Sequence, residues 1–247
     1  MASRFALASH FVRSFVRESR AVETAFEDAL FESHRMRSTP KKSRARALIL
    51  PGYIAPKFVY CRLVKFLDSL GIFSAVATYG MSIRSQLLRE PKILSRTVSV
   101  FRERFGTLDY VIGHSAGTID ALSLLPDHPE VKLAVAFAPP FELSPVLRTL
   151  LHVGYHIGVA PIPLHPEQIE SLLKRLTPHQ KKIVLVYTKE DGLCLPATTV
   201  LPKAKHILVE EEVSKRPNGT HDENSHTHVG LPNSSFAKNI LKRELSD

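Results

Sequence analysis

The feature that most restricts the fold of this chain is a strand-like run that leads directly into the motif G-x-S-x-G. The run is Leu108–Ile112, and the motif follows at residues 113–117. At such a strand-to-helix turn, the residues two before and two after the serine approach each other, so a side chain at Gly113 or Gly117 would clash. The turn lifts the serine hydroxyl clear of the sheet. Ser115 is therefore predicted to be a nucleophile, and the alternative is an ordinary tight turn with a surface serine.

Strand-like and helix-like segments alternate along the rest of the chain. Short apolar runs predict strands that are buried on both faces, and segments with helical periodicity separate them. Because parallel pairing needs connections of that length, the pattern predicts an α/β domain with a mostly parallel central sheet and helices on both faces. The predicted strands are Ala47–Leu50, Ile72–Thr78, Leu108–Ile112, Leu133–Ala138, Ile183–Tyr187 and His206–Val209, and the predicted helices are Lys57–Leu70, Leu87–Phe105, Ser115–Leu125 and Phe236–Leu245.

Length and composition fit one globular domain with an N-terminal extension. The chain has 247 residues, of which 44% are apolar, and its mean hydropathy of −0.04 argues against several membrane spans. Ser38–Ser43 is polar and contains a proline, so we predict a helical extension with a linker over residues 1–42 and the main domain over 43–247. The two cysteines, Cys61 and Cys194, are typical of a reducing compartment, which indicates a cytoplasmic protein.

Positive charge is concentrated near the N-terminus. The formal net charge is +9, and the first 46 residues hold ten basic and five acidic side chains. Apolar residues recur at helical spacing between the arginines, which predicts an amphipathic helix. Three interpretations stay open: a helix packed on the domain, an interfacial helix on an anionic membrane surface, or an organelle-targeting segment. No zinc-finger spacing and no basic run interleaved with aromatic residues occurs, so no nucleic-acid partner is predicted.

Two backbone N–H groups are candidates for an oxyanion hole, which stabilises negative charge on a substrate oxygen. One donor in this kind of turn is the residue after the serine, here Ala116. The second comes from the loop after an earlier strand, and the turn Leu50–Tyr53 has the right place in chain order. The N–H of Tyr53 is therefore predicted to be the second donor, and the alternative is a plain Pro-Gly turn.

A serine nucleophile also needs an acid and a base, which follow it along this fold in the order Asp or Glu, then His. Asp191 is the predicted acid because it follows the strand Ile183–Tyr187, at the functional edge of a parallel sheet. Glu190 is the alternative acid. His228 is the predicted base, which takes the serine proton and returns it to the leaving group, and His226 is the alternative.

The loop around the predicted base also raises the alternative of a metal site. Histidine and carboxylate side chains that cluster in a loop can bind a metal. No spacing here matches H-E-x-x-H or another firm ligand pattern, so a metal is not predicted. The clustered residues are His221, Asp222, Glu223, His226 and His228.

Four stretches together resemble the small bacterial-type triacylglycerol lipases and esterases of the α/β-hydrolase superfamily. The resemblance covers about Ala47 to Leu245 and implies the α/β-hydrolase fold, with hydrolysis of carboxylic esters and neither a metal nor an organic cofactor. The family's catalytic histidine is typically followed by an H-x-G-L run, which favours His228 over His226. Pro51 departs from the family, where a histidine is usual. The four stretches are Leu48–Tyr53, Gly113–Gly117, Thr188–Asp191 and His228–Leu231, with Ser234 and Ser235 just beyond.

The resemblance and the site residues together predict a serine hydrolase that cleaves carboxylic esters through an acyl-enzyme, with a small-molecule ester or a lipid as substrate. Residues 141–180 are rich in Leu, Val and Ile, and they predict either a cap over an apolar pocket or two helices packed on the sheet. One alternative function is a thioesterase or acyltransferase with the same triad. Another is a catalytically inactive α/β-hydrolase that binds a membrane or a protein partner.

Overall fold

The structure, a computed structural model, describes residues 42–52, 55–77, 91–144, 149, 166–191, 193–197, 199–210 and 227–246. The strands in these ranges are β1 (Ala45–Leu50), β2 (Ile72–Val76), β3 (Tyr110–His114), β4 (Leu133–Phe137), β5 (Glu142–Leu143), β6 (Ile183–Tyr187), β7 (Cys194–Leu195) and β8 (Lys205–Leu208). The helices are α1 (Cys61–Ser69), α2 (Pro91–Phe105), α3 (Ala116–Leu124), α4 (Pro166–Leu176) and α5 (Ser235–Glu244), with 3-10 turns at Lys57–Tyr60, Thr177–Lys182 and Leu231–Asn233.

A parallel sheet of six described strands forms the centre of the fold, in the order β2-β1-β3-β4-β6-β8. Every pair of neighbours in this sheet runs parallel. The short strands β5 and β7 pair antiparallel outside it. Since the carboxyl ends of parallel strands meet at one edge, the residues after β1, β3 and β6 are brought to the same side of the sheet.

Helices cover both faces of the sheet, as the sequence predicts. Alternate residues of β1 point to opposite faces, Ala47 and Ile49 to one and Leu48 and Leu50 to the other. The first face packs against α1 and α5, and the second packs against α2, α3 and α4. The predicted α/β class, with a mostly parallel central sheet, is confirmed.

Strand β3 is found two residues further along the chain than the sequence predicts. The apolar run suggests Leu108–Ile112, but the strand is Tyr110–His114. The apolar run stops at Ile112 because the next two residues are a glycine and a histidine. In the structure these residues, Gly113 and His114, still pair with β4. The first two residues of the G-x-S-x-G motif therefore belong to the sheet itself.

Helix ends follow local chemistry. Gly71 comes directly after the last turn of α1 and has a φ of +71°, the left-handed conformation that glycine adopts at helix C-termini. At the start of α5, the hydroxyl of Ser234 accepts a hydrogen bond from the N–H of Ala237 at 3.0 Å. This bond satisfies one of the N–H groups that the first turn of a helix leaves without an intrahelical partner.

Part of the predicted cap segment belongs to the body of the fold. Leu172 and Leu176 of α4 are buried against the second face of the sheet. The rest of the apolar stretch, residues 145–148 and 150–165, lies outside the described residues, as do the predicted N-terminal helix and its linker up to residue 41. None of the described helices combines the length and the apolar character needed to span a bilayer.

Candidate active site

Ser115 occupies the turn between β3 and α3 in a conformation that non-glycine residues rarely adopt. Its φ is 52° and its ψ is −127°, which costs on the order of 1–3 kcal/mol. Hydrogen bonds hold the turn in place. The N–H of Ser115 donates to the Phe137 carbonyl at 2.9 Å, and the Ser115 carbonyl accepts from the Thr118 hydroxyl at 2.7 Å. The surrounding structure therefore imposes the tight turn that the motif predicts.

The two glycines of the motif are required because main-chain atoms occupy the space around them. A Cβ on Gly113 would lie 2.5 Å from the Cα of Thr118, and a Cβ on Gly117 would lie 2.5 Å from the Pro51 carbonyl oxygen and still closer to that of Leu50. Main-chain atoms cannot rotate away as the end of a side chain can. This close approach brings the end of β1 against the first turn of α3.

Asp191 and His228 form a buried hydrogen-bonded pair. Nδ1 of His228 lies 2.7 Å from Oδ2 of Asp191, and both side chains are almost fully buried. Oδ1 of Asp191 accepts hydrogen bonds from two backbone N–H groups, of Leu193 at 2.8 Å and of Cys194 at 3.0 Å. Hydrogen bonds to both oxygens thus fix the orientation of the Asp191 carboxyl group. The bond to His228 joins residues that lie 37 positions apart in the sequence.

The ionisation of Asp191 decides which ring nitrogen of His228 carries hydrogen. Burial by itself raises the pKa of the Asp191 carboxyl, but the charge and hydrogen bond of His228 and the two backbone N–H groups bring that pKa below its usual value. An ionised carboxylate only accepts hydrogen bonds, so Nδ1 of His228 carries the hydrogen and donates it. In the neutral ring, Nε2 then keeps a lone pair and can accept a proton, as a general base requires.

Of the alternative acid and base, only the acid, Glu190, belongs to the described residues. Glu190 is exposed, whereas the neighbouring Asp191 is buried against His228. His226 lies outside the described residues, as do His221 and the two acidic residues beside it. The structure therefore brings together the first-choice residues of the prediction, Asp191 and His228.

His114, which occupies the x position directly before the serine in the G-x-S-x-G motif, connects the Ser115 turn to His228. Its Nε2 lies 2.8 Å from the His228 carbonyl oxygen, and its Nδ1 lies 2.8 Å from the Tyr60 hydroxyl. The His114 and His228 rings have centroids 5.1 Å apart. Burial, and then the nearby charge of His228, lower the pKa of His114 to about 3, so this ring is neutral. Sequence reasoning missed both His114 and Tyr60, and only the histidine inside the motif could have signalled them.

The turn after β1 passes directly beside the serine. A Cβ on Gly52 would lie 3.2 Å from the Cβ of Ser115. The Gly52 N–H donates to the Tyr60 hydroxyl at 2.8 Å and is therefore engaged elsewhere. Tyr53, the predicted second oxyanion donor, lies outside the described residues, and Ala116, the predicted first donor, is the first residue of α3.

One group of described side chains meets the distance requirement of a metal site. Asp191, Cys194 and His228 offer ligand atoms that all lie within 4.8 Å of one another. Two of these residues already bond to each other, through the Asp191 carboxylate and Nδ1 of His228. A metal at this position would have to replace that hydrogen bond, so the donor set fits a hydrogen-bonded acid–base pair better than a metal centre.

The comparison with known proteins gives structural matches and no sequence matches. No protein-family model and no curated protein sequence matches this chain. The esterase domain of a Rhodothermus marinus protein is 15% identical, with a TM-score of 0.53 over 80% of this chain and 88% of that chain. One of the metagenome-derived lipolytic enzymes LipS and LipT is 13% identical, with a TM-score of 0.55 over 83% and 93%. The thioesterase domain from the curacin biosynthetic pathway is 12% identical, with a TM-score of 0.53 over 84% and 93%.

At identities of 12–15%, these likenesses concern architecture and not a particular reaction. The architecture of this chain has the central features that the sequence predicts: a parallel sheet, helices on both faces, and a tight serine turn after β3. The chain therefore has the α/β-hydrolase fold.

Proposed function

We propose that this protein is a serine hydrolase that cleaves carboxylic esters of small molecules or lipids. Ser115 is the proposed nucleophile, His228 the base and Asp191 the acid that orients it. The observation that carries the proposal is the buried 2.7 Å hydrogen bond between His228 and Asp191, which His114 connects to the strained Ser115 turn. A hydrogen bond of this kind holds the imidazole in the tautomer that can accept the serine proton.

In the first half of the proposed reaction, Oγ of Ser115 attacks the ester carbonyl carbon while its proton passes to Nε2 of His228. The carbonyl oxygen becomes negatively charged, and the N–H groups of Ala116 and Tyr53 are proposed to stabilise it. The His228 imidazolium, stabilised by Asp191, then protonates the leaving alkoxide. The C–O bond of the ester breaks, an alcohol departs, and the acyl group remains on Ser115.

In the second half, water takes the place of the alcohol. His228 accepts one proton from water as the oxygen attacks the acyl carbon. The bond to Oγ of Ser115 then breaks, and the same proton returns to this oxygen. A carboxylic acid leaves, and the enzyme regains its starting state with no change in oxidation state.

Labelling with a fluorophosphonate probe, followed by peptide mapping, tests this proposal. We expect covalent labelling of the wild-type protein at Ser115, and none in Ser115→Ala or His228→Ala. Two matched controls should label as the wild type does. Ser123→Ala removes another serine, whose hydroxyl bonds within α3. His206→Ala removes a histidine that stacks on Tyr187.

Two results would contradict the proposal. Labelling at a serine other than Ser115 would show that the nucleophile is misassigned. A folded wild-type protein that reacts neither with the probe nor with p-nitrophenyl esters of short and long chains would instead support an inactive α/β-hydrolase that binds a membrane or a protein.

A thioesterase or acyltransferase is the second candidate, favoured by the structural likeness to a thioesterase domain. These enzymes share the acyl-enzyme step and differ in the leaving group or the acceptor. A thioesterase would show a higher kcat/KM for a thioester than for an ester with the same acyl group. An acyltransferase would form more ester than free acid when an alcohol acceptor is added.

We also propose that residues 1–42 bring a cytoplasmic enzyme to an anionic membrane surface. The support is the charge of this region, since eight of its 42 residues are Lys or Arg and five are Asp or Glu. Binding to such a surface weakens with salt. Co-sedimentation of the full chain with vesicles of anionic or neutral lipid, at low and high salt, tests this. Equal binding to both kinds of vesicle would contradict it.

A further inference from the structure

A line of three buried hydrogen bonds connects the turn after β1, the 3-10 turn Lys57–Tyr60, the serine turn and the His228 loop. The Gly52 N–H lies 2.8 Å from the Tyr60 hydroxyl oxygen. The Tyr60 hydroxyl lies 2.8 Å from Nδ1 of His114. Nε2 of His114 lies 2.8 Å from the carbonyl oxygen of His228. Tyr60 and His114 thus link the turn after β1 to the His228 loop.

The chemistry of the groups sets the direction of every bond in this line. The His228 carbonyl can only accept, so Nε2 of His114 carries hydrogen and donates it. Since the His114 ring is neutral, its Nδ1 has a lone pair and accepts from the Tyr60 hydroxyl. The Tyr60 oxygen in turn accepts from the Gly52 N–H. Each donor faces one acceptor, so a single arrangement satisfies the whole line.

A second contact ties the His228 loop to the same part of the fold. Asn233 lies five residues after His228, and its Oδ1 accepts from the Leu63 N–H at 3.2 Å. Its Nδ2 donates to the Val59 carbonyl. The segment that follows His228 is therefore held at one end by His114, which bonds to Tyr60, and at the other end by Asn233, which bonds directly to the region around Tyr60.

We propose that Tyr60 and His114 are positioning residues, which hold the backbone of His228 and the turn after β1 in place beside Ser115. This inference rests on the proposed function, in which His228 is the base and the turn after β1 carries an oxyanion donor. The outer hydrogen bonds of the line go to main-chain atoms, the Gly52 N–H and the His228 carbonyl oxygen. The two side chains act through the backbone of His228 and of Gly52, and small displacements of a base reduce the rate strongly.

The first test is Tyr60→Phe, which removes one hydroxyl from a fully buried ring. We expect kcat for a p-nitrophenyl ester to fall between about 10-fold and about 100-fold, while KM stays within about two-fold. The matched control is Tyr187→Phe, which removes another buried hydroxyl, one that donates to the Ala197 carbonyl at 3.3 Å. This control should keep kcat within about two-fold of the wild type.

The second test separates the two ends of His114. His114→Gln places an amide N–H group near the position of Nε2 and keeps the donor to the His228 carbonyl. His114→Asn has a shorter side chain, whose amide oxygen can accept from the Tyr60 hydroxyl but whose NH2 group is too far from the His228 carbonyl to donate to it. We expect His114→Gln to retain at least about five-fold more kcat than His114→Asn. Equal kcat in these two variants, or a wild-type kcat in Tyr60→Phe, would overturn the proposal.

A measurement that needs no turnover separates failure of this proposal from failure of the proposed function. The low-field proton resonance of Nδ1–H of His228 reports how firmly the ring is held against Asp191. We expect it to broaden through faster solvent exchange in Tyr60→Phe and to stay sharp in Tyr187→Phe. A wild-type protein without hydrolase activity would refute the proposed function alone. An unchanged resonance in Tyr60→Phe would refute the positioning role.

Discussion

Replacing Asp191 by asparagine changes one atom in the buried pair and reverses one hydrogen bond. Oδ1 of Asp191 accepts from the N–H groups of Leu193 and Cys194, at 2.8 and 3.0 Å, and Oδ2 lies 2.7 Å from Nδ1 of His228. An asparagine has one amide oxygen and one NH2 group. The two backbone donors require the oxygen at the Oδ1 position, so the NH2 group must face His228. Nδ1 then has to accept, and the ring hydrogen moves to Nε2.

With hydrogen on Nε2, the neutral His228 cannot accept the serine proton. We expect kcat of Asp191→Asn to fall about 10⁴-fold, which corresponds to a rise of about 5.4 kcal/mol in the activation free energy. KM should stay within about three-fold, because Asp191 is buried and its replacement by asparagine leaves the solvent-facing surface unchanged. The two backbone hydrogen bonds persist, so the protein should remain folded.

The assay compares kcat and KM for a p-nitrophenyl ester, the rate of fluorophosphonate labelling, and thermal unfolding by circular dichroism. The matched control is Asp109→Asn. Asp109 is a buried aspartate that accepts from the Arg46 N–H at 2.9 Å and pairs with Lys132, and this variant should keep kcat within about two-fold. An Asp191→Asn enzyme with more than about one-tenth of the wild-type kcat would refute the reasoning about the tautomer.

Three further predictions concern stability. Gly117→Ala should lower the free energy of unfolding by about 3 kcal/mol, because its Cβ would overlap the Leu50 carbonyl oxygen; urea denaturation measures this. Ser234→Ala should lower it by about 1 kcal/mol, because the cap on the Ala237 N–H is lost. The pKa of Asp191 is lower in the folded state, so its contribution is present above the unfolded pKa of about 3.9 and is lost as the pH falls through the folded value. Below about pH 4, the wild type should therefore lose stability more steeply than Asp191→Asn.

Each of these predictions has a control or a contradicting result. Gly71→Ala should cost only about 1 kcal/mol, because its Cβ would meet nothing nearer than 3.7 Å despite a φ of +71°; an equal cost at Gly117 would contradict the steric argument. Ser99→Ala, on the exposed face of α2, should cost nothing measurable. Parallel acid-unfolding curves for wild type and Asp191→Asn would contradict the linkage argument.

Elements with strong local signals were predicted well. The strand Ile183–Tyr187 has the bounds that its apolar run predicts. Boundaries that depend on interstrand hydrogen bonds were displaced, as for β3, where Gly113 and His114 pair with β4 despite their poor strand character. An apolar run indicates which residues are buried, whereas the end of a strand depends on where the hydrogen bonds to its partner strand end. The division at residue 42 stays a prediction, and so does a cap within 141–180, apart from α4, whose Leu172 and Leu176 pack on the sheet.

The sequence by itself determined the α/β class, the parallel sheet and the serine turn, because these depend on residues close together in the chain. Apolar runs, helical periodicity and the spacing of Gly113 and Gly117 are local properties. Only the tertiary structure decided that Asp191, rather than Glu190, lies against His228, and that Tyr60 and His114 connect to the same loop. Those contacts join residues 37, 54 and 114 positions apart. The direction of a side chain after a strand ends depends on the packing of distant segments, which no local pattern encodes.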